Sequence, residues 1–173
     1  MAFLLRTLLR KAFGKPPRLL CDQHIWGNGV DELMRRTEGM RESGAFLLGS
    51  TDGRIRRIRQ FLYYDDIDPT CFQHGIVEFD GGRFGLVWQK CRELKMTVVA
   101  DVHVHPCGYG QSSSDRHNPM IAESGHLAII LPDFAARARM PGGIGIYEYL
   151  SSRQWLDHSP QGDRVFYVGW WPQ

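Results

Sequence analysis

Apolar and polar residues repeat with two different periods along this chain, and each change of period marks an element. From Thr97 to His105 (TVVADVHVH) β-branched residues dominate, and a period of two predicts a strand with Thr97, Val99, Asp101, His103 and His105 on one face. Pro106 cannot donate to a ladder, so the strand ends there. Upstream, Phe84, Val87, Trp88, Cys91 and Leu94 recur at helical offsets, which predicts an amphipathic helix over about Arg83 to Lys95 behind the breaker Asp80-Gly81-Gly82. Ala45 to Gly49 is a short apolar run of the kind a buried strand makes. The turn signal Thr51-Asp52-Gly53 joins Ala45 to Ser50 and Arg54 to Tyr63 as a hairpin. Asp31 to Arg41 carries helix formers, with Asp31 in the first turn and Gly44 near the stop. Asp65 to His74 reads as an exposed loop and Ile76 to Phe79 as a brief strand. Asn118-Pro119 suits the cap and first position of a short helix through Ser124. His126 to Pro132 is an apolar strand, and the tail alternates glycine turns with aromatic strands at Gly143 to Tyr149 and Val165 to Val168.

Strands and helices interleave, so the expected class is α/β (α+β), a mixed β-sheet flanked by helices. No repeat or linker divides the chain. Composition keeps this picture: hydrophobic residues at 43% and charged residues at 23% are those of an ordinary globular domain. No run approaches the roughly 18 apolar residues of a membrane span. Charge adds one feature. Arg6, Arg10, Lys11, Lys15 and Arg18 give the first 18 residues +5 and leave −3 for the rest, against a total of +2. Residues 1–18 are therefore read as a basic helix or arm, ahead of a single domain over 19–173. Such an arm raises nucleic-acid binding as one function class, although no nucleic-acid partner is expected. The run Arg54 to Arg59 reads as the wet face of a strand, blunting a sheet edge. Cys21, Cys71, Cys91 and Cys107 show no C-x-x-C pairing, which argues against a cysteine zinc cluster and fits a reduced, cytoplasmic setting.

The candidate chemistry is concentrated in Val98 to Asp115, VVADVHVHPCGYGQSSSD. His103 and His105 point the same way from alternate strand positions. The glycine- and serine-rich loop Cys107 to Ser114 can fold back and bring Asp115 beside them. Two imidazoles and a carboxylate form a three-ligand set of the kind used for catalytic zinc, with a fourth position open. Read structurally instead, both histidines are partly buried polar residues of a central strand, each satisfied by a neighbour. A zinc peptidase also needs a carboxylate to move protons. Glu42, immediately before the apolar strand, is the first candidate, and Glu78 is the second.

Glu42 with Gly44-Ala45-Phe46-Leu47-Leu48-Gly49, then His103-Val104-His105-Pro106, then Ser112-Ser113-Ser114-Asp115, resembles the JAB1/MPN/Mov34 (JAMM) metalloproteases. The likeness spans about Arg41 to Leu131 and rests on three separated pieces in the same order, with a Pro106 to Ser112 loop one residue shorter than the family pattern. It implies the JAB1/MPN (cytidine deaminase-like) fold and one catalytic Zn2+ on His103, His105 and Asp115. It further implies Glu42 as general base and Ser112 as oxyanion partner. The implied activity is cleavage after the C-terminus of a ubiquitin-like protein, in a conjugate or a precursor. Small bacterial members of the family are encoded beside E1- or E2-like enzymes, which are implied partners here. A catalytically inactive MPN-type scaffold that binds a protein partner is the alternative.

Overall fold

In the computed structural model, which describes residues 16–170, Leu19–Cys21 (β1) leads directly into a helix over Gln23–Thr37 (α1). Asp22 sets that start, because its carboxylate accepts the His24 amide and satisfies a free N–H of the first turn. Trp26, Val30, Leu33 and Thr37 then form the buried stripe. The helix thus begins well before the Asp31 expected from sequence: burial of Trp26 outweighs the poor helix propensity of Gly27 and Gly29. Ser43–Asp52 (β2) and Ile55–Tyr63 (β3) make the expected hairpin, and Tyr64–Ile67 (α2) is a single turn. Phe84–Leu94 (α3), Thr97–Val104 (β4) and Ser113–His117 (α4) follow. Leu127–Leu131 (β5), Gly145–Ser151 (β6), Gln154–Asp157 (β7) and Phe166–Val168 (β8) complete the chain.

The strands form one mixed sheet in the order β7-β6-β5-β4-β2-β3-β1-β8, with β4/β5, β3/β1 and β1/β8 parallel and the other pairs antiparallel. The sheet curls. Arg18 beside β1 forks onto Glu148 of β6 at 2.6 and 2.8 Å although β5, β4, β2 and β3 lie between these strands. α1 covers one face through Trp26, Val30 and Leu33 against Ala45, Leu47, Val102, Val104 and Ile129. The other face carries Phe46, Leu48, Leu62 and Tyr64 under α3, which contributes Val87 and Cys91. The expected mixed α+β architecture is observed. Among the described residues no helix is long and apolar enough to cross a membrane.

Several local expectations fail for identifiable reasons. Asp65 to His74 is not an exposed loop, because Cys71 and Phe72 are buried and the buried Asp68 carboxylate holds the amides of Thr70 and Asp80. Ile76 to Phe79 forms no strand. Its Val77 amide goes to the Glu42 side chain and its Glu78 amide to Cys71 O, rather than to a ladder. The short helix lies at Ser113–His117 and not at Asn118 to Ser124, since Ser112 and Asp115 make a reciprocal capping box and the residue before Pro119 is pushed out of helical conformation. The arginines of β3 do not protect an edge, for β3 is flanked by β2 and β1. A bulge where β4 meets β2, between Leu47 and Leu48, turns Val99 to the α1 side, away from the face of Asp101. Of the basic segment 1–18, residues 1–15 lie outside the described residues.

Candidate metal centre

β2 and β4 build the centre through their register. Gly44 pairs with His103 and Ser43 with Val104, so one further residue sets Glu42 opposite His105 on the same face. The start of β2 is pinned by the Ser43 hydroxyl, which donates to Leu33 O at 2.8 Å at the end of α1. Gly44 has no room for a Cβ, which would collide with the Tyr64 ring and approach Val102 O. Glu42 is fixed at both ends: its amide donates to Gly75 O at 2.9 Å, and its Oε2 accepts the Val77 amide at 2.9 Å. Its Oε1 then stands 3.8 Å from His105 Nε2.

His103 Nε2 and His105 Nε2 are 2.9 Å apart. Asp115 straddles them, with Oδ1 3.3 Å from His103 Nε2 and Oδ2 3.3 Å from His105 Nε2. One atom from each of the three residues lies within 4.8 Å of the others, so they could hold a metal ion. Bonds of about 2.0–2.1 Å at tetrahedral angles place ligand atoms about 3.3 Å apart, and the imidazole nitrogens at 2.9 Å and the nearer Asp115 oxygen to each at 3.3 Å are of that order. Burial pushes the Asp115 carboxyl upward, but hydrogen bonds from both imidazoles, the His103 charge and the Ser112 amide outweigh it and hold Asp115 well below the usual carboxylate range. Burial lowers the His103 imidazole, and contact with Asp115 outweighs that and raises it.

Ser112 enters through α4. Its Oγ accepts the Asp115 amide at 3.1 Å, while its own amide donates to Asp115 Oδ2 at 2.6 Å. Its neighbours differ: Ser113 Oγ contacts His117, and Ser114 lines a small recess with Asp101, His103 and Asp115. Val77, Met120 and Trp155 form other parts of that recess. Glu42, His103, His105 and Asp115 therefore meet, with Ser112 tied to Asp115. Glu78 points instead to His74, 2.5 Å away, and Cys107 is exposed in the loop.

Three buried groups behind the centre escaped the sequence reading. Asp101 lies two residues before His103; its Oδ1 is 2.6 Å from His126 Nε2, and its Oδ2 accepts the Tyr64 hydroxyl at 3.3 Å. Period two already placed Asp101 on the His103 face, so half the signal was present. The partners come from the residue just before β5 and from α2, and nothing in the sequence links those segments.

A mixed α+β sheet that presents two buried histidines and a half-buried carboxylate at a strand end defines this molecule at the level of class. No protein-family model matches the sequence. The solution structure of protein DSY2949 from Desulfitobacterium hafniense superimposes with a TM-score of 0.62 over 87% of this chain and 92% of that one, at 12% identity. That likeness concerns the fold alone.

Proposed function

We propose that this chain is a zinc-dependent isopeptidase or peptidase of the JAMM type, cleaving after the C-terminus of a ubiquitin-like protein in a conjugate or a precursor. One observation carries the reading. A carboxylate outside the ligand set, Glu42, stands 3.8 Å from His105 Nε2 because the β2–β4 register puts it there. His103, His105 and Asp115 would hold the ion. When bound, zinc supplies a Lewis acid and lowers the pKa of a water from 15.7 towards about 7.

The chain's own groups do the rest. Glu42, steadied by the Val77 amide, takes a proton from the attacking water and returns it to the departing nitrogen. Ser112 Oγ already accepts the Asp115 amide, so its own hydrogen is left to donate toward a developing oxyanion. An extended modifier tail would lie between the Phe61 to Phe79 stretch and the loop around the exposed Tyr109, gaining backbone hydrogen bonds as an added strand. E1- or E2-like enzymes are the partners this activity would work beside.

The test is cleavage of a ubiquitin-like fusion by zinc-supplemented protein, repeated with Glu42→Gln. The parent is expected to cut and the variant to fail. Equal cleavage by both would remove Glu42 from the mechanism. A folded sample that takes up no zinc would instead leave a protein-binding scaffold.

A further inference from the structure

Asp115 reaches the centre on a segment that leaves the sheet after β4 and rejoins it only at Leu127. Within Pro106 to Asn118, and outside the ligand cluster itself, the hydrogen bonds among the described residues that tie this segment to another element come from the β6–β7 hairpin. Tyr147 of β6 donates its hydroxyl to Tyr109 O at 3.0 Å, three residues before Ser112. Trp155 of β7 donates Nε1–H to Arg116 O at 3.2 Å, one residue beyond Asp115. The two anchors thus bracket the capping box that aims the Asp115 carboxylate.

The hairpin is shaped for this contact. A Cβ at Gly145 would lie 2.5 Å from Tyr109 O, so the loop rests directly on the β6 backbone. Trp155 is fixed edge-on against Tyr149, their rings 5.1 Å apart. A carboxylate carried on a glycine- and serine-rich loop loses much conformational freedom when it takes up a metal, and anchors that hold the loop beforehand remove part of that cost.

We infer that the β6–β7 hairpin is the positioning element for the third metal ligand: Tyr147 and Trp155 hold the two sides of the Asp115 segment and set where its carboxylate meets His103 and His105. In this role they are positioning residues, acting through the segment that carries Asp115. The inference rests on the metal site of the proposed function.

The experiment uses the full chain with Tyr147→Phe, Trp155→Phe and, as control, Tyr149→Phe, which loses a hydroxyl on the same strand that contacts only the Arg153 amide among the described residues. Zinc affinity is measured by competition with a chromogenic chelator, and ligand geometry by the visible spectrum of the Co2+-substituted protein. Each of the two anchor variants is expected to bind zinc about 10- to 100-fold more weakly, as supporting contacts around metal ligands usually do, with an altered Co2+ spectrum. Tyr149→Phe should match the parent. In metal-free protein, trypsin reads the anchoring separately, because Arg116 offers a cleavage site beside the Trp155 bond. Losing that bond should speed the cut about two- to tenfold. Unchanged zinc affinity and spectrum in both anchor variants, or an unchanged tryptic rate in Trp155→Phe, would overturn the inference. A parent protein that takes no zinc sinks the metallopeptidase reading instead, and the tryptic rate then decides the anchoring by itself.

Discussion

Glu42 keeps one carboxylate oxygen for the Val77 amide and presents the other toward His105. Glutamine preserves the shape and the acceptor but cannot take up a proton at neutral pH. Glu42→Gln is therefore expected to lower kcat by about 10²- to 10⁴-fold, the range of general acid–base contributions, while zinc content measured by atomic absorption stays at the parental level. His105→Ala should do the reverse: it removes one of the three ligand atoms, so zinc should be lost on dialysis against a mild chelator while circular dichroism shows the fold retained. If Glu42→Gln also lost its zinc, the carboxylate would belong to the ligand set. At this scale much was legible. His103, His105, Asp115 and Glu42 were readable from type and order alone. Asp101 lay on the predicted face, but its partners Tyr64 and His126 were invisible because each is supplied by a separate element.

The elements show where local signals suffice and where they do not. α4 is set by a four-residue local cue, the Ser112/Asp115 capping box, although the Asn118-Pro119 signal pointed to a helix one turn later. α1 depends on Asp22 at its start and on tertiary burial of Trp26. Asp22→Ala should destabilise the protein by about 1 kcal/mol, seen as a fall in Tm of about 3 °C for a chain of this length. No change in Tm would mean that the start of α1 is held by packing instead. β7 escaped the sequence reading because Gln154–Asp157 carries no apolar alternation long enough to register. Its value lies in pairing with β6 and holding Arg116 through Trp155.

Across the whole molecule, the Arg18–Glu148 fork joins strands that the sheet order keeps apart, with His158 at 2.7 Å from the same carboxylate. The Arg18 guanidinium, acting against burial and with His158 assisting, holds the Glu148 carboxyl down at about 2. A carboxylate whose folded pKa lies below its unfolded value adds stability that is complete above the unfolded pKa and disappears as pH falls through the folded one. This contribution is thus present above about pH 4.5 and lost toward pH 2. It amounts to about 2 kcal/mol after discounting for the partly exposed Arg18. Glu148→Gln should accordingly lower urea stability at pH 7 and flatten its dependence between pH 5 and about 2. Parallel stability curves for parent and variant across that range would remove the fork from the closure of the sheet.

The sequence by itself determined the class of fold and the inventory of the centre. Residue type and period are local properties, and they name the strand that carries His103, the ligand candidates His105 and Asp115 and the glutamate just before β2, whereas the short helix that carries Asp115 was expected at Asn118 to Ser124 instead. Tertiary structure decided what depends on register and on distant partners. The antiparallel offset of β2 on β4 brings Glu42 opposite His105, a bulge rotates Val99 away from the site, and a hairpin late in the chain anchors the Asp115 segment. Such placements follow from backbone hydrogen bonding and packing between segments far apart in sequence, and no local pattern encodes which segments will meet.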